Sequence, residues 1–575
     1  MIGKVLRGQR VGGLLRYLFG PGARGEHEDP RIVAGFGETA ELEPALSSLG
    51  RRDFRKLEAL MSQPLSLLDP LGGVNRPVWH YPIRAHPDDP VLTDEQWAEI
   101  AREVVHAVGY ARRDDEGGCR WFAVRHADDH IHLVVTLARQ DGTRPEVRND
   151  ALRGRQALLR IERRLGLVRT APADRTAARR ATRGEMEKAG RVGRSEPSRD
   201  TLRRVVTTCA ARARSEAEFF ELLRGEGLVV KTRESRVQPG EITGYAVGLA
   251  GDVAAGGASV CFGGGRLASD LTLPRLRRRW PSGAVRADPR DPDRSAVWGE
   301  SLSLPTVRAV LRRTLRECAE GAASLDEFFS RVEQAGMLLK VRYSERVPGQ
   351  VTGYSVALPG DLEPPGSIRW HGAARIDPSL SPSRLAEARR SEAPMTHEEL
   401  QGIYDDAARA ASAAAERIRN LVGVDPKAAH DAARAVSDVL HVASWATGNH
   451  HLRRAADDFD RAARPPNAVV PRPSPAGRRL RTSARLLSLG GLVGNRTTLD
   501  VLALAVALSR ATREVGVLRA SEGRHAQASA AYRCAAHLDE LVPGAKARRV
   551  ASFSAERTAS RVSPDVAGRR RPRRG

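Results

Sequence analysis

The sequence of 575 residues lacks the features of several common protein classes. Its cysteines are odd in number, scattered and without CxxC spacing: Cys119, Cys209, Cys261, Cys318 and Cys534. This pattern argues against a disulfide framework and against a cysteine zinc site. A GxxxxGK[ST] phosphate-binding loop is also missing, so nothing in the sequence indicates nucleotide hydrolysis.

Long apolar runs are absent too. The most apolar window, residues 501–508, is far shorter than the ~20 residues that a membrane-spanning helix needs. The N-terminal stretch MIGKVLRGQRVGG has no apolar core of the signal-peptide kind. We therefore expect a cytoplasmic protein without membrane insertion.

Acidic residues are outnumbered by basic ones. Lys and Arg total 93 against 70 Asp and Glu, which gives a formal net charge of +23. An excess of this size attracts polyanions, of which nucleic acid is the commonest. Binding to an anionic membrane surface, or general solubility, are the alternative explanations of the basic excess.

The length predicts three to five domains at ~100–200 residues each. Strand signals at 78–83, 121–124 and 130–137 alternate with helix signals in the first 168 residues. Thr93 and Gln96 form a capping box before one helix, and a second helix is predicted over 149–165 with Gly166 as its stop. The first domain is thus of the α+β or α/β class, with short elements.

An internal repeat follows. Lys231-x-Arg233 matches Lys340-x-Arg342, and Tyr245 matches Tyr354, with every pair 109 residues apart (245 + 109 = 354). Each copy predicts a helix and then two strands joined by a Pro-Gly turn. We interpret the copies as two duplicated small α+β modules.

The remainder predicts a helical C-terminal region. Thr396 and Glu399 form a capping box, and Thr482 is a candidate N-cap for a later helix. The predicted organisation is a first α+β or α/β domain at 1–168, a basic linker or exposed helix at 169–200, modules at 201–284 and 303–388, helical regions at 395–464 and 482–545, a Pro-rich linker at 465–481 and a basic disordered tail at 546–575.

The most informative stretch is His126-ADDHIH. His130 and His132 lie two residues apart on a predicted strand, so both imidazoles point to one face and can reach one ion. A hairpin would bring His126 beside them as a third nitrogen ligand. Asp128 or Asp129 could accept the second ring N–H of a ligand and fix its tautomer. His80, on another predicted strand, is either a further contributor or a strand histidine with no role.

Attack on a phosphodiester at such a metal needs a nucleophile, either a metal-bound water or a side-chain hydroxyl. The first domain contains three tyrosines: Tyr17, Tyr81 and Tyr110. From the residues alone, Tyr17 is better interpreted as a core aromatic among Leu14, Leu15 and Leu18 than as a nucleophile.

The segment G-x-R-x-x-G-L-x-x-Y-L at residues 8–18, followed by the HADDHIH strand, resembles the relaxase/mobilisation nuclease family, and within it the actinobacterial mobilisation group. The resemblance covers residues 1–168. It implies an HUH-type palm domain with a central, mostly antiparallel sheet and flanking helices. By position it implies Tyr17 as nucleophile, His126, His130 and His132 as metal ligands, and Asp128 as a catalytic acidic residue.

The resemblance also implies an activity: a metal-dependent, site- and strand-specific DNA nicking-rejoining endonuclease that cuts a transfer origin (oriT) through a 5′-phosphotyrosyl intermediate. Such an enzyme starts conjugative mobilisation of a plasmid or integrative element. It would use Mg²⁺ or Mn²⁺, with Zn²⁺ as an alternative, and its partners would be single-stranded and duplex DNA, relaxosome accessory proteins and a coupling protein. An HUH rolling-circle replication initiator and a non-catalytic basic DNA-binding protein are the competing hypotheses.

Candidate DNA contacts lie in two basic segments. Arg10 and Arg16 lie in the same segment as Tyr17. Arg277, Arg278 and Arg279 directly precede Trp280. Arginine beside an aromatic suits phosphate contact with base stacking. The alternative is a solvated basic edge with Trp280 packed inward.

Overall fold

The computed structural model describes residues 1–21, 28–47, 50–68, 75–170, 174–254, 256–280, 302–385, 395–466, 471–491 and 499–542. The predicted basic tail from residue 546 lies outside these residues. The chain divides into two compact units, Met1–Asp174 and Arg175–Gly575. No helix of the described residues is both long and apolar enough to cross a bilayer.

The first unit is built on a six-stranded sheet in which every pairing is antiparallel. The order is β1-β6-β8-β7-β3, and β2 also pairs with β6. The strands of the unit are β1 Ile2–Gly3, β2 Leu6–Gly8, β3 Arg31–Gly35, β4 Ala45–Leu46, β5 Arg52–Asp53, β6 Val78–Arg84, β7 Trp121–Ala127 and β8 His130–Thr136. The helices are α1 Val11–Leu18, α2 Thr39–Leu42, α3 Arg55–Ser66, α4 Asp94–Val108 and α5 Asp150–Arg164. The predicted central antiparallel sheet is confirmed.

The two faces of this sheet pack against different helices. Trp79, Ile131 and Leu133 lie in one core with residues of α4 and α5. Val124 and Val134 lie in a second core with residues of α1 and α3. Because neighbouring residues of a strand point to opposite faces, β6, β7 and β8 are apolar on both sides and sit in the middle of the unit.

Helix α4 begins where the sequence predicts it. The Thr93 hydroxyl accepts from the Gln96 amide, and the Gln96 side chain accepts from the Thr93 amide, so the capping box is present. The capping box thereby provides hydrogen-bond partners for backbone N–H groups at the start of α4 that have no partner within the helix. The helix ends at Gly109, whose φ of 99° is a backbone conformation that favours glycine.

The second unit starts with two segments of similar element order. The first contains Arg183–Arg191, Ser198–Arg212, Glu216–Gly225, Leu228–Glu234, Ile242–Leu249, Phe262–Gly263, Gly264–Leu267 and Leu273–Arg277. The second contains Leu304–Glu320, Leu325–Gln334, Leu338–Tyr343, Val351–Ala357, Leu362–Glu363, Ser367–Ile368, His371–Gly372, Ala373–Ile376 and Pro378–Leu380. Equivalent positions make the same bond: the Tyr245 hydroxyl donates to the Leu271 carbonyl at 2.7 Å, and Tyr354 to Leu380 at 2.6 Å. That these segments arose by duplication remains our interpretation.

The rest of the second unit is helical, as predicted, in six helices among the described residues: His397–Leu421, Pro426–Thr447, His450–Ala463, Pro475–Leu489, Leu499–Ser521 and His525–Asp539. The Thr396–Glu399 capping box is present.

One predicted boundary in this unit differs from the structure. A helix begins at Pro475, inside the predicted Pro-rich linker, because the Ser474 hydroxyl accepts from the Gly477 amide and proline fits the first helical turn. Thr482 therefore lies inside a helix and caps nothing. In the segment 169–200, for which a basic linker or an exposed helix is predicted, the structure has the helix Arg183–Arg191, which starts with a capping box between Thr182 and Glu185.

Candidate metal centre and nucleophile

Strand β8 carries two of the three clustered histidines on one face. His130 and His132 alternate with Ile131, which is fully buried in the core against α4 and α5. The two histidines thus lie on the opposite face, the one that α1 and α3 cover further along the strand. This is the placement that the spacing predicts.

His126 reaches the pair through an irregularity in strand pairing. Arg125 pairs with Ile131 but Ala127 pairs with His130, so His126 is the extra residue of a β-bulge. Bulges redirect a side chain next to the irregularity. The His126 ring centroid lies 4.7 Å from that of His130 and 4.4 Å from that of His132, and one nitrogen of each of the three rings lies within 4.8 Å of the others.

Three clustered imidazoles form a donor set that suits a divalent transition metal. His126 and His132 are buried and His130 is partly exposed. A shielded set with one side open to solvent is typical of a catalytic site, which keeps a position for water or substrate. The residues present therefore fit a bound metal.

An acidic side chain orients His130. Asp129 Oδ1 lies 2.6 Å from His130 Nδ1, and Arg84 Nε lies 2.8 Å from Asp129 Oδ2. Burial raises the pKa of Asp129, but the hydrogen bond with His130 and the charge of Arg84 outweigh it, so the net pKa is lowered. Asp129 is therefore the carboxylate that can accept the His130 N–H and leave Nε2 for another ligand.

Asp128, the acidic residue implied by the resemblance, lies elsewhere. Its side chain is 80% exposed, and its Oδ1 lies 3.3 Å from Arg125 Nη2. Arg125 in turn pairs with Asp94 at the start of α4. Of the two adjacent aspartates, the structure brings only Asp129 into hydrogen-bond contact with a clustered imidazole.

His80 is the neighbour that orients His132. It lies on β6, paired with Val134 of β8, and is buried. Its Nε2 lies 2.7 Å from His132 Nδ1, and the rings stack with centroids 5.0 Å apart. Burial lowers the pKa of His80 to about 4, so the neutral ring acts as a hydrogen-bond partner near pH 7. The contact leaves Nε2 of His132 for a metal.

Tyr17 lies beside this cluster. Val11, Leu15 and Leu18 of α1 are buried against the sheet, which leaves Tyr17 on the outer side of the helix with 46% of its surface exposed. Its ring centroid is 6.4 Å from that of His132, with the rings edge to face. Tyr17 is therefore not a core aromatic.

The other two tyrosines of the unit are on the opposite face. Tyr81 stacks on Trp79 with centroids 5.0 Å apart, and the Tyr110 hydroxyl lies 3.2 Å from Asp150. Burial raises the pKa of both phenols to about 12. Both belong to the core against α4 and α5, on the side of the sheet away from the histidines.

The match to a known family falls on this part of the chain. Residues 52–167 match the family model described as relaxase, MobA/VirD2-like, nuclease domain. Residues 52–167 of the first unit are therefore similar to a relaxase nuclease domain. The match to this relaxase domain includes His80 and the three clustered histidines but begins after Tyr17, so the nucleophile assignment rests on geometry and on the sequence pattern. No curated protein and no solved structure matches the chain.

The basic candidates outside the cluster fall into two groups. Arg10, at the N-cap of α1, and Arg16, which precedes Tyr17 in the helix, are both exposed. In the second unit, Trp280 is 6% exposed and packs 5.4 Å from Phe219, so it is not presented for base stacking. Trp280 thus fits the inward-packed alternative.

The arginines before Trp280 are also mostly engaged. Arg277 Nε lies 2.6 Å from Glu216 Oε2, and the largely buried Arg279 pairs with Asp438. Arg278 is exposed. Of the predicted run, only Arg278 is thus an accessible cation without an ion pair among the described residues.

Proposed function

We propose that the chain is a site- and strand-specific DNA relaxase that nicks a transfer origin through Tyr17 and so starts conjugative mobilisation. The observation that carries the proposal is the position of the Tyr17 ring, 6.4 Å from the ring of His132, which belongs to the segment that matches the relaxase nuclease domain. An exposed phenol beside a histidine cluster supplies the two parts that a transesterification needs.

In the proposed reaction, the Tyr17 oxygen attacks the scissile phosphorus in line with the bond to the 3′ oxygen. The tyrosyl O–P bond forms, the P–O3′ bond breaks, and the proton lost by Tyr17 is balanced by the one gained on the 3′-hydroxyl. The phosphotyrosyl ester keeps the energy of the broken linkage. Rejoining is the reverse attack and needs no nucleotide cofactor.

His126, His130 and His132 would hold a divalent metal in this scheme. When bound, such an ion supplies positive charge to the phosphate oxygens. Asp129 and His80 fix the two strand imidazoles with Nδ1 engaged. The three-nitrogen donor set favours Mn²⁺ or Zn²⁺ over Mg²⁺, which prefers oxygen ligands. A role for Asp128 stays a prediction.

Arg10 and Arg16 are both exposed, the first at the N-cap of the helix that carries Tyr17 and the second next to Tyr17 in the sequence. We propose that they bind phosphates flanking the scissile bond and align the strand for attack. The palm-type fold, the cytoplasmic location, and the accessory and coupling proteins of transfer belong to the same proposal.

The test is incubation of the full chain with a supercoiled plasmid that carries the DNA flanking its own gene, in Mg²⁺ or Mn²⁺. We expect an open-circular product with protein attached to a 5′ end after denaturation. Nicking that leaves no protein on the DNA would instead support a metal-bound water as nucleophile, and intact supercoiled plasmid would overturn the nicking activity.

A further inference from the structure

The β-hairpins of the two segments in the second unit have three kinds of residue in common. The first kind is buried, as Tyr245 and its equivalent Tyr354 are. The second kind forms the Pro-Gly turn between the strands. The third is unexpected: Lys231 and Arg233 are exposed, and so are their equivalents 109 residues on, Lys340 and Arg342. Packing and turn geometry account for the first two kinds but not for the third.

Each retained arginine is held in the same way. Arg233 Nε donates to Thr243 Oγ1 at 3.2 Å, and that hydroxyl donates to the Arg233 carbonyl at 3.1 Å. Arg342 and Thr352 make the same two bonds at 3.3 and 3.1 Å. Both segments thus hold a surface arginine that would otherwise be free to rotate.

Glycine makes this arrangement possible. Gly244 is the cross-strand partner of Arg233, and Gly353 that of Arg342. A Cβ at Gly244 would lie 3.1 Å from Arg233 Nη2, and one at Gly353 would lie 3.3 Å from Arg342 Nη2. Thr243-Gly244 in the first segment and Thr352-Gly353 in the second therefore each form a cradle in which the guanidinium lies across the neighbouring strand.

The cradled charges are not neutralised within the protein. In the part of the chain that the structure describes, no carboxylate forms an ion pair with Lys231, Arg233, Lys340 or Arg342. The Lys340 ammonium lies 4.1 Å from the centre of the Trp370 ring. A fixed, exposed guanidinium loses little entropy on binding and matches the geometry of a phosphate.

We propose that the hairpins at residues 228–249 and 338–357 each bind the phosphate backbone of duplex DNA through the retained Lys and cradled Arg. The retained exposed side chains include no aromatic residue, so they can recognise phosphate but not stack on unpaired bases. Duplex DNA offers the denser row of phosphates, and a two-stranded ribbon fits its major groove. The choice of DNA rests on the proposed function.

The test compares two double variants of the full chain. Arg233→Gln with Arg342→Gln removes the cradled charges. Arg236→Gln with Arg346→Gln removes two exposed charges from the same hairpins, and these are matched controls because each has no basic equivalent in the other copy. Binding to a fluorescent duplex and to a single strand of equal length is measured against salt, with melting curves to verify folding.

For the cradle variant we expect a loss in duplex affinity on the order of tenfold per contact at 0.1 M salt, and a salt slope smaller by about 1.8. The control should lose far less. Equal losses in both variants, no loss in the cradle variant, or a loss confined to the single strand would overturn the proposal. Because binding is measured without nicking, the result is independent of whether Tyr17 forms an adduct.

Discussion

His80 Nε2 lies 2.7 Å from His132 Nδ1, across the pairing of two central strands. Both rings are buried. The contact engages one nitrogen of His132 and directs the other to the cluster with His126. A histidine that holds no metal itself can in this way decide how a ligand is presented.

We predict that His80→Ala weakens Mn²⁺ binding by about 10- to 100-fold, the usual effect of losing an outer partner of a ligand. Calorimetric titration of the full chain measures this directly. His80→Gln should recover part of the affinity, since an amide can still hydrogen-bond to the imidazole. His86→Ala, at a histidine outside the cluster, is the matched control and should bind as the wild type does. Unchanged affinity in His80→Ala would show that the contact is structural only.

A second prediction concerns the ligands themselves. His132→Ala should abolish Mn²⁺ binding and adduct formation together, because a tridentate site that loses a buried imidazole is left with two donors. EDTA should stop nicking, and added Mn²⁺ should restore it. Nicking at the normal rate in EDTA would exclude a metal from the reaction.

The helical region provides a prediction on pH. Glu522 accepts from His430 at 2.5 Å and from Arg519 at 3.0 Å. Burial raises the pKa of Glu522, but these two partners outweigh it and hold the pKa at about 2. Since the carboxyl binds protons more readily when unfolded, its contribution is complete above pH 4.5 and is lost as the pH falls towards 2.

Glu522→Gln should therefore lower the free energy of unfolding by about 1 kcal/mol at pH 6, after allowance for solvent screening. The difference from wild type should shrink as the pH falls to 3. Urea denaturation at both pH values measures it. A difference that does not change with pH would mean that the carboxyl charge is not what stabilises this contact.

Much of the site follows from local sequence rules. The same-face placement of His130 and His132 needs only the two-residue period of a strand, and the start of α4 needs only the Thr93–Gln96 pattern. The exposed position of Tyr17 depends instead on which residues of α1 pack against the sheet. The sequence does not reveal which side of the helix packs, because leucines lie on both sides of Tyr17.

Other features depend on how strands pair. The bulge at His126 exists only relative to the register of β8, and the His80–His132 contact requires β6 to lie next to β8. Neither pairing register can be predicted from the sequence of a single strand. Trp280 illustrates the same limit: a basic run beside an aromatic is equally compatible with a surface or a core position, and packing against Phe219 decided it.

The central claim is that Tyr17 carries the cleaved strand, and its most direct test is peptide mapping of the covalent adduct. Tyr17→Phe should abolish the adduct while folding and DNA binding remain, because only one oxygen is removed from an exposed side chain. Tyr81→Phe removes the same atom from the opposite face of the sheet and is the matched control. We predict that mass spectrometry finds the nucleotide on the peptide containing Tyr17, in wild type and in Tyr81→Phe alike. An adduct of undiminished yield in Tyr17→Phe, or one mapped to another tyrosine, would contradict the claim.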